Sequence, residues 1–260
     1  MTRRHASDDA AHGGAVVERL RAAGCVFAEE EAALLIAAGG DTEALVSRRV
    51  AGEPLEVILG WAEFRGLRVA VGPGVFVPRR RTEVLVEHAL RCAHDAAVAV
   101  ELCAGVGAVA AALAAERPGL EVWAAELDPV AVAVARRNLD PSRVVQGDLY
   151  AALPSSLRGR VGILIANAPY VPTAEIALMP AEARDHEPAL ALDGGMDGLE
   201  VQRRVIAGAA EWLTPRGVLL IETSVRQAPA TVALMEEAGF ASRAEHDDDL
   251  DGTVAIGERR

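Results

Sequence analysis

"AVAVELCAGVGAVAAALAAERPGLEVWAAELDPVAVAVARRNL", residues 97–139, decides the fold. It opens with a short apolar run, turns through Gly105 and Gly107, and continues as an alanine-rich helical segment stopped by Pro118. A second apolar run, "LEVWAAEL", leads into a second helical segment, with Asp128 placed to cap it and Pro129 at its first position. Short apolar runs alternating with helices predict a parallel sheet whose strands are buried on both faces.

The same rhythm continues outward. "RVVQGD", "VGILIAN" and "GVLLIET" read as further strands, and "LEVQRRVIAGAAEWL" and "APATVALMEEAG" as helices. The tail from Phe240 fits a closing antiparallel pair. The fold class is therefore α/β, a doubly wound, mostly parallel sheet. On the N-terminal side, residues 1–14 are expected to be disordered, and residues 15–60 form a small helical region. Its three segments "VVERLRAAG", "EEEAALLIAAG" and "TEALVSRRVAG" each close on glycine. "WAEFRGLRVAVGPGVFVP", residues 61–78, predicts a β-hairpin linker, and "RTEVLVEHALRCAHD" the first helix of a main domain over 79–260.

Half of the 260 residues are hydrophobic (51%) but only 3% are aromatic, so the core is expected to be built from Ala, Val and Leu. A net charge of -12 argues against general attraction to nucleic-acid phosphates. "MTRRHASDDAAHGG" has no apolar centre resembling a secretory signal, and no window is apolar enough to span a bilayer. Cys25, Cys92 and Cys103 lack metal or disulfide spacing, so neither is expected. The expected location is the cytoplasm.

Ligands on such sheets bind beyond the C-terminal strand ends. There stand Glu101 with Cys103, Ala104, Gly105, Val106 and Gly107, then Glu126, then Asp148 with Leu149, and finally Asn167 with Ala168, Pro169 and Tyr170. The glycine turn lacks the full dinucleotide spacing, because Cys103 and Ala110 occupy the outer positions. Glu126 suits the vicinal hydroxyls of a ribose, and Asp148 suits an adenine amino group with Leu149 against the ring. Alone, Glu126 would read as a loop charge and Asp148 as a helix cap. Together they point to an adenosyl ligand, S-adenosylmethionine rather than a dinucleotide. Pro169 biases Ala168 towards an extended conformation. The carbonyls of Asn167 and Ala168 and the Asn167 side-chain oxygen then form a group of acceptors suited to an –NH2, with Tyr170 as a stacking face.

These residues resemble the class I S-adenosylmethionine-dependent methyltransferases, specifically the HemK/PrmC protein-glutamine methyltransferases. The resemblance runs from about Gly52 to Arg260. It is carried by "GEPLEVILGWAEFRGLRVAVGPGVFVPRRRTEVLVE", "ELCAGVGA", "AAELDPVAVAVARRN", "QGDLYAALP", "NAPYVP", "LDGGMDGL", "GVLLIETSVRQ" and "DGTVAIG", in that order. It implies a seven-stranded Rossmann-like methyltransferase domain preceded by a helical substrate-docking domain. It also implies S-adenosylmethionine as donor, with S-adenosylhomocysteine as product, and no metal. Residues Cys103 to Gly107, Glu126, Leu149 and Asn167 would contact the cofactor, and Asn167, Ala168, Pro169 and Tyr170 would hold the target glutamine. The implied substrate is the Gly-Gly-Gln loop of a peptide-chain release factor. The chain departs from the family pattern at Ala168 (NAPY for NPPY), at Cys103 in place of the first loop glycine, in a shorter N-terminal region and in a more basic "PRRRTE".

Two other functions compete: a nucleic-acid amino methyltransferase, and a cofactor-binding docking protein with a weakened site. Outside the strand ends, "DDDLD" (247–251) reads as a solvated loop and His186 as structural. Glu83 supports a helix start or the mouth of the site, and Arg79, Arg80 and Arg81 stand near that mouth, where they either meet an acidic partner or are simply exposed.

Overall fold

The computed structural model describes residues 13–92 and 97–260. The first helix, α1 (13–22), already contains Gly13 and Gly14, which the sequence placed in a disordered segment; the expectation for residues 1–12 lies outside the described residues. α2 (Ala28–Ala37), α3 (Thr42–Val50) and α4 (Leu55–Leu59) complete the N-terminal region. Asp41 caps α3 by accepting from the Ala44 N–H at 3.1 Å. Val16, Leu20, Ala32, Leu35, Val46 and Ile58 give these helices a small core of their own.

β1 (Trp61–Phe64) and β2 (Leu67–Ala70) form the expected antiparallel hairpin. Asn138 fastens it to the body. Its side-chain oxygen accepts from the Ala70 N–H at 2.8 Å, and its nitrogen donates to the carbonyls of Ala70 (3.0 Å) and Val106 (2.9 Å). One amide thus ties the hairpin to the glycine turn.

The body alternates as predicted: α5 (Glu83–Cys92), β3 (Val98–Leu102), α6 (Ala108–Glu116), β4 (Glu121–Glu126), α7 (Pro129–Asn138), β5 (Val144–Gln146) and β6 (Val161–Ala166). Two short helices, α8 (Ala181–His186) and α9 (Ala189–Leu192), precede α10 (Glu200–Trp212). Then come β7 (Leu213–Thr223), α11 (Ala228–Glu237), β8 (Phe240–Asp247) and β9 (Gly252–Arg259). The strand at 217–223 begins earlier than expected, because Leu213 pairs with Val161 ahead of a register shift at Val161/Ile163. The last residues of "RTEVLVEHALRCAHD" lie outside the described residues.

Seven strands lie in the order β5-β4-β3-β6-β7-β9-β8, parallel from β5 to β7 and antiparallel at β9 and β8. Successive side chains of the central strands enter two cores. Ala99, Ile163, Ile165 and Leu220 face one, while Val100, Leu102, Leu164 and Ile221 face the other. Ala108 to Leu113 of α6 are buried without interruption, so alanine lets this helix lie close to the sheet. From β3 the chain winds outward through β4 to β5, then returns to start β6 on the other side of β3. The two directions of winding diverge between β3 and β6, and a crevice opens at their C-terminal ends.

Candidate active site

The expected site residues come together in this crevice. Glu101, Cys103, Ala104, Gly105, Val106, Glu126, Asp148, Leu149, Asn167, Ala168, Pro169 and Tyr170 all line one cavity. Gly107 does not. A Cβ there would lie 2.7 Å from Leu139 Cδ1, and its φ of 74° is left-handed, so the close packing of the turn requires glycine. Gly105 has φ 54° and open space where a side chain would stand, which leaves its backbone exposed to a guest. Cys103 takes φ 51°, a left-handed conformation that an L side chain rarely adopts and that glycine would take without strain.

The acids act differently from one another. Glu126 is occupied by the protein: Oε2 accepts from the Gly105 N–H at 2.7 Å, and Oε1 from the N–H groups of Leu127 (2.7 Å) and Asp128 (2.8 Å). A carboxylate offers about four lone-pair directions, so about one remains, on Oε2. Besides the ribose contact expected of it, this residue shapes the glycine turn. Glu101 lies on the cavity floor, where Oε2 accepts from the Ala110 N–H at 2.8 Å and pins the start of α6. Burial pushes its pKa up to about 8. Asp148 does not cap the turn that follows it; Arg204 donates to its carboxylate at 2.6 Å. Leu149, at φ 47°, presents its side chain to the cavity. Burial together with the charges of Glu126, Glu101 and Asp148 pushes the Cys103 thiol well above its ordinary pKa. The Glu126 carboxylate beside the open turn fits a cationic sulfonium ligand carrying a nucleoside.

At the end of β6, the Asn167 amide nitrogen donates to Thr82 Oγ1 at 3.3 Å. Among the described residues, no donor reaches the carbonyl oxygens of Asn167 and Ala168. The Tyr170 hydroxyl donates to Glu222 at 3.4 Å, and Arg81 lies 3.5 Å from the same carboxylate. Burial and the neighbouring Glu222 charge push the Tyr170 pKa up to about 12, so it stays a neutral donor at pH 7.

Several contributors escaped the sequence reading. Gln227 donates to the Tyr170 carbonyl at 2.9 Å and to the Asp197 carbonyl at 3.2 Å. A Cβ on Gly194 would lie 2.7 Å from the Pro169 carbonyl oxygen, and one on Gly198 would strike the Tyr170 carbonyl and the Gln227 amide. "LDGGMDGL" is therefore the backbone that supports the Asn167–Tyr170 turn from behind. In the sequence the stretch served only as part of the family resemblance, and nothing there named what it packs on. Arg79 pairs with Glu187 at 2.5 Å, and Arg81, which stays exposed, lies 3.5 Å from Glu222. Glu83 accepts from the Arg65 N–H at 3.2 Å and steadies the hairpin turn. His186 lies outside the crevice, beside Gly52. Asp247 caps the acidic loop through the N–H groups of Asp249 and Leu250, and no cluster among the described residues is arranged to hold a metal.

Comparison with known proteins agrees with this geometry. Residues 66–183 match the model of the methyltransferase small domain. The chain is 40% identical over 200 residues to the release factor glutamine methyltransferase of Geobacter sulfurreducens, covering 75% of this chain and 69% of that one. It is 39% identical over 208 residues to the 4-amino-L-phenylalanine/4-methylamino-L-phenylalanine methyltransferase of Streptomyces pristinaespiralis, covering 76% and 70%. A methyltransferase structure from Pyrococcus furiosus shares the fold, with a TM-score of 0.57 at 17% identity over 75% of this chain and 90% of that one. With a crevice at the switch point of its sheet and this similarity along three quarters of its length, the chain belongs to the release factor glutamine methyltransferase family of S-adenosylmethionine-dependent enzymes.

Proposed function

We propose that this enzyme methylates the side-chain amide nitrogen of the glutamine in the Gly-Gly-Gln loop of a peptide-chain release factor. The observation that carries this reading is the group of unmatched acceptors at Asn167 and Ala168, beside the open glycine turn. S-adenosylmethionine, when bound, supplies an electrophilic methyl carbon on a sulfonium sulfur. Gly105, Glu126, Asp148 and Leu149 are the groups that would hold it, with Cys103 and Ala104 beside its methionine end.

The protein's part is to orient an amide nitrogen and tune its reactivity. That nitrogen is a weak nucleophile because its lone pair is delocalised into the carbonyl. Acceptors that grip its hydrogens favour a pyramidal nitrogen, and so stabilise the transition state more than the ground state. Tyr170 supplies the face against which the planar amide lies. Ala168 is buried, and its carbonyl is retained where the family has proline, so the acceptor set survives the substitution. The helices over 15–60 and the hairpin over 61–78 are proposed to dock the protein substrate, and a cytoplasmic location follows from that substrate. No helix among the described residues is long and apolar enough to cross a membrane.

The test uses purified protein, labelled cofactor and three acceptors: a release factor, an amino-substituted phenylalanine, and ribosomal RNA. Label in the Gly-Gly-Gln peptide is expected, and Asn167→Ala should cut turnover ~100-fold or more, about 3 kcal/mol of transition-state stabilisation. Label in the free amino acid or the RNA instead would refute the substrate, and an unimpaired Asn167→Ala variant would refute the site.

A further inference from the structure

The acceptors this reaction needs cannot be held in place by bonds of their own. A carbonyl matched by a protein donor has less to offer a guest, and those of Asn167 and Ala168 are left free. Pro169 brings no N–H to anchor the turn from within. Their direction must therefore be set by the chain that follows them.

The peptide unit between Tyr170 and Val171 is matched at both ends. Its N–H, on Val171, donates to the Leu192 carbonyl at 3.0 Å. Its carbonyl, on Tyr170, accepts from the Gln227 amide nitrogen at 2.9 Å. The same nitrogen donates to the Asp197 carbonyl at 3.2 Å, so one buried amide ties the turn to the loop behind it. Gln227 can do this only with its –NH2 towards the two carbonyls; reversed, Oε1 would face two oxygens, acceptor against acceptors. Ser224 selects the orientation. Its hydroxyl oxygen accepts from the Gln227 backbone N–H at 3.2 Å, and its one proton goes to Gln227 Oε1 at 2.7 Å. Beside Gln227, Arg226 donates to both oxygens of Glu175 at 2.9 Å, so residues 224–227 also hold the turn at Thr173–Leu178.

We infer that Gln227, oriented by Ser224, is a positioning residue for methyl transfer: by fixing the peptide unit after Tyr170 it aims the free carbonyls of Asn167 and Ala168 at the target nitrogen. This rests on the reading of Asn167 and Ala168 given above. Gln227 does not itself line the crevice, so it acts through the turn.

The experiment measures kcat on release factor across pH, cofactor Kd and thermal stability for the full-length protein and its variants. Gln227→Glu keeps the size of the side chain but turns its donor into an acceptor when ionised. At about pH 8 its kcat should be ~10–100-fold below the parent's, with cofactor Kd within about threefold, because only orientation at the reacting atoms is lost. A carboxyl held among carbonyls takes up its proton above the usual carboxylate range, and can then donate again. The ratio of variant to parent kcat should therefore climb as pH falls from about 8 to about 5.5. Gln227→Met, which has no donor at any pH, should be lowered throughout, and adding it to Asn167→Ala should cost nothing further. Parental kcat in either variant, a Gln227→Glu ratio that does not move with pH, cofactor Kd weakened as much as kcat, or full additivity with Asn167→Ala would overturn the inference. If Gln227→Glu does not fold, Gln227→Met decides by the same kcat and Kd criteria. Retained activity in Asn167→Ala alone would instead refute the site on which the inference stands.

Discussion

Glu101 shows how one residue can link burial, pH and the site. Its carboxyl, displaced by burial from 4.5 to about 8, keeps its proton through a range in which the unfolded chain has lost it. The folded state then binds more protons than the unfolded one across that window. Its contribution is complete below about pH 4.5, declines as pH rises, and is gone above about pH 8. Glu101→Gln keeps an acceptor for the Ala110 N–H but cannot titrate. Unfolding free energy of the variant relative to the parent should therefore rise by a few (~2–5) kcal/mol between acid and mildly alkaline pH. Denaturant titrations giving parallel curves for the two proteins would show that this carboxyl does not carry the dependence. At the same scale, Glu126 shows the limit of reading residues singly. At a strand end it reads as a ribose acceptor, whereas the fold also engages it with three backbone N–H groups.

At the scale of elements, the Asn167–Tyr170 turn holds its shape because other segments leave no alternative. Gly198, at φ 76°, abuts the Tyr170 carbonyl and the Gln227 amide. Gly198→Ala introduces both left-handed strain and a clash, and should cost ~2–3 kcal/mol of stability while lowering turnover more than cofactor affinity. Equal turnover, with fluorescence-detected cofactor binding unchanged, would show the support to be unimportant. Asn138 plays the matching part on the other side of the crevice. Asn138→Ala leaves the Ala70 N–H and the Ala70 and Val106 carbonyls without their partner, and should cost about 2–3 kcal/mol in chemical denaturation. Its hydrogen exchange should rise in the hairpin and glycine turn and not in β7 or β9.

Across the whole molecule, Arg49 joins the helical region to the catalytic body. It reaches Glu31 at 2.6 Å within the helices and Glu182 of α8 at 3.0 Å. Both Arg49 and Glu31 are largely buried at this joint, so Arg49→Ala strands a carboxylate and should cost about 3 kcal/mol, with new proteolytic sensitivity confined to the first 60 residues. Cleavage spread evenly along the chain would show that the helices have no separate stability.

The alternation of apolar runs with helices, the capped start of α7 and the glycine turn were all legible in the sequence. Each is set by local periodicity, by proline and by backbone freedom, which neighbouring residues determine among themselves. So were the strand-end residues, because a parallel sheet places the ends of its strands on one rim. Tertiary structure alone decided which groups touch there: Thr82 against Asn167, Glu222 beneath Tyr170, Gly198 behind it, and Arg79 against Glu187. Those pairings join segments separated by tens of residues, and they follow from strand order and crossing helices, which no local pattern of side chains encodes.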